Sequence, residues 1–501
     1  MKLYLIYKIL KLHIFKVIMK LNTGQKLCGM AVWTLSEFVA ISNALSGVMS
    51  WLTCAVLMTS CVLSTCEISP KCRSENTELF LTPLIENGQI KEARKLATVL
   101  PMMEKIHSFS GYLTINKTCN ANLFFWLFRS QRGNWKKRPL VLWLDADVGN
   151  PTLPFVVFRQ VGPFSVDENF HLKRRVHSLT RDYNVMFIDS TVGTGLSFTE
   201  NDACYPDSRV KVADGLYAAL VQLHTLFPSL QKNRFFVVGS SASARYPPEL
   251  ARKILDRGPT STIRVNLSGI IILAGALSYS MVTSASGLWN LGLYDNNQLT
   301  RSLERQARIG ANARAHEFSA VREGWLDERF FLTSVTGFKR ASDFMRDDFG
   351  RNPNSTEEKF YNHPETRQAL HAGHRAFSNG KTIEFHMLPE MGQSAIPTFE
   401  GLLATDIDIL FLTGQQDMSY PYIVFEELFT SLRWPGAADF NAARRCQFRI
   451  NDRVAGYYRS VRRFTEVLIR GAGHIIYGTQ PKTTYRVIDK FIRNTKNFQC
   501  T

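Results

Sequence analysis

Short apolar runs recur along the chain after Glu67, each bounded by Gly, Asp or Ser: residues 139–144, 184–188, 234–238, 269–273, 407–412 and 464–469. They are rich in Val, Ile, Leu and Phe and lack polar alternation, which predicts strands buried on both faces of a mainly parallel sheet. Helical patterns over 210–227 and 249–256 lie between some of them, the βαβ rhythm of an α/β fold. Ahead of these, 111–116 and 122–128 predict an antiparallel hairpin. Between about 278 and 403 the strand rhythm gives way to helical, charged sequence, where a lid inserted into the sheet would sit. No internal repeat or low-complexity linker follows Glu67, so residues 67–501 read as one domain carrying an insertion.

Residues 1–66 are patterned differently. Lys2, Lys8, Lys11, Lys16, Lys20 and Lys26 oppose one acid, Glu37, and no Asp, Glu, Lys or Arg occurs from 38 to 66. The apolar heart at 51–63 has the length of a signal-peptide core and is followed by the small residues Ser64, Thr65 and Cys66. The whole uncharged stretch is also long enough to span a bilayer, so a cleaved signal and a retained signal anchor both fit. Either implies the secretory pathway, with a secreted or a lysosomal or vacuolar destination. Any membrane contact would be through that anchor.

A chain of 501 residues with 45% hydrophobic composition can bury a large core. Its net charge of +17 raises nucleic acid as a partner. The basic residues are too scattered for that reading: the tightest clusters, Lys173-Arg174-Arg175 and Arg444-Arg445, are short and embedded in globular sequence. Beyond residue 66 the cysteines are Cys72, Cys119, Cys204, Cys446 and Cys500, with no metal-type spacing, so at most two bridges and a free thiol are expected. Nothing calls for a metal or another cofactor. Of three glycosylation sequons, those at Asn116 and Asn354 read as accessible, whereas Asn266 adjoins an apolar strand.

In open α/β sheets ligands bind beyond the carboxyl ends of the strands, and three of those ends carry reactive groups. Arg234-Phe-Phe-Val-Val-Gly-Ser-Ser-Ala-Ser-Ala244 is a strand, a tight turn and the opening of a helix, with Ser241 where a nucleophile elbow lifts its hydroxyl. Ser243 stands where that elbow commonly has a second glycine. Asp417 ends Ile409-Leu-Phe-Leu-Thr-Gly-Gln-Gln-Asp417, and His474 ends Val467-Leu-Ile-Arg-Gly-Ala-Gly-His474. Ser, Asp and His in that chain order are what an α/β-hydrolase triad requires: His474 to take the serine proton, Asp417 to hold its ring.

The Gly-x-Gly-His segment followed by Gln480-Pro481 resembles the histidine motif of the serine carboxypeptidase family. So do 139–144, Val192-Gly-Thr-Gly-Leu-Ser-Phe198 and Val454-Ala-Gly-Tyr457. Asn122-Leu-Phe-Phe-Trp126 with residues 79–97 resembles its vitellogenic-like branch. The likeness runs over roughly 79–492 and implies an α/β-hydrolase: a mostly parallel central sheet flanked by helices, with an inserted helical lid. It also implies removal of C-terminal residues from peptides and proteins by a Ser-His-Asp acyl-enzyme mechanism. An oxyanion hole would then fall at Asp147 and Ala242, and the grip on the substrate carboxylate at Asp145 and Ser240.

Those last positions depart from the family pattern. Asp145 replaces a neutral amide and would meet a carboxylate with like charge; Ala146 and Asp147 replace two glycines; Ser240 replaces an acid and Ala242 a tyrosine. Ala274 and Thr191 stand where the family has a polar residue and a proline. Pro247 beside Pro248 is expected to break the helix after the elbow. The departures leave a second reading open, a secreted, catalytically impaired carboxypeptidase-like binding protein. Oligomeric state is not legible in the sequence.

Overall fold

The computed structural model describes residues 77–102, 105–144, 151, 153–258, 260–278, 281, 285–346, 355–493, 498 and 500. The N-terminal extension 1–66, Cys72 and Asn354 lie outside them.

The apolar runs do form the middle of a sheet. Its strands are β1 (Thr98–Val99), β2 (Ser108–Asn116), β3 (Ala121–Phe128), β4 (Leu140–Leu144), β5 (Asn184–Ile188), β6 (Phe235–Ser240), β7 (Leu267–Leu273), β8 (Asp408–Gly414), β9 (Cys446–Ile450), β10 (Arg453–Val461) and β11 (Phe464–Ile469). They lie in the order β1-β2-β3-β5-β4-β6-β7-β8-β11-β10-β9. The six central strands from β5 to β11 pair in parallel, and the two edges are antiparallel meanders. Every residue of β4, β5, β6, β8 and β11 is buried, as expected for strands covered on both faces. The edge strands β9 and β10 were not legible as apolar runs, because β9 alternates buried and exposed positions along Cys446–Ile450.

Helix α1 (Arg209–Leu226) packs against α2 (Tyr246–Arg257), and α2 packs on β7. The proline pair does not break α2. Pro247 and Pro248 occupy its first turn, where the backbone N–H groups have no intrahelical partner to lose. Between β7 and β8 no strand joins the main sheet among the described residues. There α3 (Asn296–Arg314) and α4 (Phe318–Thr336) form a helical pair. Residues 355–403 instead send Tyr361, Leu370, Ile383 and Phe399 into the main core, the last from α5 (Ile396–Leu403). Helices α6 (Tyr422–Ser431) and α7 (Pro481–Arg493) complete the layers, with Phe425 of α6 against Phe411 of β8 and Phe491 of α7 against Phe236 of β6.

Among the described residues Cys119, Cys204, Cys446 and Cys500 pair in two disulfides. Cys119–Cys204 ties the β2–β3 turn to the Asp202–Cys204 turn, and Cys446–Cys500 ties β9 to the C-terminal residues, with Cα separations of 6.2 and 5.5 Å. Asn116 is exposed at the end of β2; Asn266 is half-buried and donates to the Lys232 carbonyl. Among the described residues no helix is long and apolar enough to cross a membrane.

Candidate active site

At the end of β6 the chain turns so sharply that Ser241 takes φ 54°, a left-handed conformation that a residue with a Cβ adopts at a cost. The surroundings hold it there. The Ala276 N–H donates to the Ser241 carbonyl at 3.1 Å. Gly239 leaves room for the return of the chain, since a Cβ there would lie 2.6 Å from Pro247 Cγ and 2.8 Å from the Ser243 carbonyl oxygen. Past Ser241 a 3-10 turn, Ser241–Arg245, leads into α2.

Ser243, which stands where the elbow commonly has a second glycine, is part of its frame. Its fully buried Oγ accepts from the Ser240 N–H at 3.0 Å and lies within donating distance of the carbonyls of Ser240 (2.7 Å) and Leu144 (2.9 Å). The elbow is thereby tied to the end of β4. A small residue that is also polar was the available signal, and a pattern seeking glycine overlooked it.

Asp417 and His474 arrive on the loops after β8 and β11. These loops touch backbone to backbone, because a Cβ on Gly414 would sit 2.4 Å from the Gly473 carbonyl oxygen. The Asp417 carboxylate is completely buried; Oδ1 accepts from the Tyr420 N–H at 2.9 Å and Oδ2 lies 2.9 Å from His474 Nδ1. His474 Nε2 lies 2.8 Å from Ser241 Oγ. With a carboxylate on one side, the neutral ring carries its proton on Nδ1, so the Nε2 lone pair faces the serine hydroxyl. The imidazole, one-seventh exposed, has Tyr420 beside it at 5.6 Å between ring centres. Its loop is pinned by Gly473 N–H to Thr479 Oγ1 (3.2 Å) and by Gln480 Nε2 to the Gly471 carbonyl (3.0 Å), which gives the Gln480-Pro481 motif a physical role.

Ser241, Asp417 and His474, read from three separate strand ends, thus meet at one rim of the sheet. The other expected positions divide. Ala242 is buried in the turn directly after Ser241, and Ser240 is buried at the turn's start. Asp145 and Asp147 lie outside the described residues. Among the described residues no group of three His, Cys, Asp or Glu side chains could hold a metal ion.

The sequence profile described as serine carboxypeptidase (peptidase S10) matches residues 101–494. The chain is 34% identical to the venom serine carboxypeptidase of Apis mellifera, the alignment covering 83% of this chain and 91% of the relative. It is 31% identical to the vitellogenic carboxypeptidase of Aedes aegypti, covering 84% and 92%. With the probable serine carboxypeptidase CPVL of Homo sapiens it shares 32% over 83% and 89%. Among solved structures it is similar to KEX1(delta)p, a prohormone-processing carboxypeptidase from Saccharomyces cerevisiae, at a TM-score of 0.68 and 18% identity, covering 80% of this chain and 96% of that one. That similarity speaks for the α/β-hydrolase fold alone, while the profile and the relatives speak for descent: the chain belongs to the serine carboxypeptidase family.

Proposed function

We propose that the protein removes C-terminal residues from peptides by acyl transfer through Ser241, with a weakened grip on the substrate's terminal carboxylate. The contact chain Ser241 Oγ, His474, Asp417, at 2.8 and 2.9 Å, is the observation that carries this reading. Nε2 of His474 accepts the hydroxyl proton as Oγ attacks the scissile carbonyl, then returns it to the leaving amine, so an acyl ester on Ser241 and a free amino acid result. Asp417, screened from water, holds the ring and balances the imidazolium. Water then attacks the ester with His474 again as base. Developing charge on the carbonyl oxygen falls to the Ala242 N–H and to the loop at Asp147, each donor being worth about two to three orders of magnitude in rate. The inserted helical stretch acts as a lid over this rim.

The departures at Asp145, Asp147 and Ser240 favour a second reading, peptide binding without turnover. Hydrolysis of blocked dipeptides with a free C-terminus separates the two. The expected result is slow cleavage near neutral pH that Ser241→Ala abolishes, faster cleavage on acidification, and a gain of more than roughly tenfold in the combined variant Asp145→Asn, Asp147→Gly, Ser240→Glu. Cleavage no better than that of Ser241→Ala, even in the combined variant, would leave the binding reading.

The paired cysteines and the apolar segment at 38–66 support entry into the secretory pathway, where disulfides persist. A tagged chain should carry glycans that Asn116→Gln and Asn354→Gln reduce; an unglycosylated cytosolic product would contradict it.

A further inference from the structure

The loops bearing Asp417 and His474 are held by more than the sheet. After α4 the chain leaves through Gly337 (φ 78°), and residues 341–346 run against both loops. The Ser342 carbonyl accepts from the His474 N–H at 2.7 Å, and the Phe344 N–H donates to the Gln416 carbonyl at 3.2 Å. Ser419 Oγ donates to the Ala341 carbonyl. Asp343 is completely buried between them: Oδ1 accepts from the Met345 N–H at 2.8 Å and Oδ2 from Arg346 Nη1 at 2.5 Å. The same Nη1 lies 3.2 Å from Gln416 Oε1 and 3.3 Å from the Gly471 carbonyl, so one guanidinium touches the aspartate loop and the histidine loop together. Gly473 admits the segment, since a Cβ there would lie 2.6 Å from Asp343 Cβ and 2.7 Å from the Ser342 carbonyl oxygen.

We propose that Asp343 and Arg346 are positioning residues for His474, forming a clasp by which the segment after α4 sets nucleophile activation. The inference rests on the reading of Ser241, His474 and Asp417 as the triad. His474 follows Gly471 and Gly473, whose backbone freedom is restrained from within its own loop only through Thr479 and Gln480. The clasp adds a restraint from outside: its backbone holds the His474 N–H, and its charged pair fixes the spacing of the two loops. A ring displaced by about 1 Å can cost about a hundredfold in rate, so contacts that never reach substrate carry kinetic weight.

The test is inactivation of the full chain by a fluorophosphonate, resolved into a maximal rate and a half-saturating concentration, for Arg346→Ala, Arg346→Lys and Asp343→Asn. Ser241→Ala runs in parallel and thermal melting reports folding. The clasp requires the maximal rate to fall by about ten- to a hundredfold with little change in half-saturation, and Arg346→Lys to recover part of it. Folded variants that react as fast as the parent overturn it. So does a failure of all three to fold, which makes the segment structural. If Ser241→Ala is still labelled, the triad reading itself falls; if it is unlabelled while Arg346→Ala reacts normally, only the clasp falls.

Discussion

Asp417 spends one oxygen on the Tyr420 N–H and the other on His474, so both are committed. Asp417→Asn keeps the shape but offers an amide where a carboxylate accepted, favouring the wrong imidazole tautomer. The expected loss is about 10⁴-fold in reaction rate with little change in stability, read from inactivation kinetics beside a melting curve. Ser243→Ala acts differently. It strips the acceptor from the buried Ser240 N–H and unties the elbow from Leu144, so about 1–3 kcal/mol of stability should go, measured by denaturant unfolding. Both roles differ in how visible they were before folding. Asp417 stands after a strand and a glycine, where a turn or chemistry can bring an acid, and the chain order Ser, Asp, His pointed to chemistry. Ser243 stands among small residues, and its partner Leu144 is 99 positions away.

Strands covered on both faces announce themselves, because nothing along them needs to face water; this is why β4, β5, β6, β8 and β11 were legible. The exception inside β11 is Glu466, a fully buried acid next to the buried Thr465. Burial pushes its carboxyl up, against the pull of Arg459 and Arg445. Arg459 of β10 donates to Glu466 at 3.1 Å and to Glu426 of α6 at 2.6 Å, and Tyr422 bridges the two acids, so the network fastens an antiparallel edge to the parallel core. Arg459→Met would leave two facing acids with one exposed cation, Arg445, and should cost about 3–5 kcal/mol in unfolding free energy; adding Glu466→Leu should return part of it. A loss of only a few tenths would show the network to be surface-like. Strand β10 was hidden at the sequence level by these charges, which acquire sense only once the strand faces α6. The clasp at 341–346 was hidden for the same reason, its partners lying across the fold.

For the whole molecule, pH acts on stability through groups buried in their neutral form. His224, inside α1, donates from Nδ1 to the Leu220 carbonyl at 2.9 Å with its other edge against Phe235. Burial lowers its pKa from the ordinary 6.5, the Leu220 contact opposing in part. The unfolded chain therefore binds this proton at higher pH than the folded one. Stability is full above about pH 6.5 and is lost as pH falls toward the depressed folded value. His224→Met should flatten the decline in melting temperature between about pH 7 and about pH 5; an unchanged decline would assign it to other groups. The overall order of elements, a sheet with an insertion ahead of its last parallel strands, was legible from the apolar rhythm, and the convergence of Ser241, Asp417 and His474 from three strand ends. Which part of 278–403 packs into the core was not, because helical charged sequence looks alike in either place. The central claim, that these ends assemble into a working nucleophile, is tested most directly by treating the purified protein with a fluorophosphonate and mapping the adduct by mass spectrometry. The account predicts one adduct, on Ser241, absent in Ser241→Ala and formed far more slowly in His474→Gln. An unmodified Ser241, or an adduct that forms as fast without His474, would contradict it.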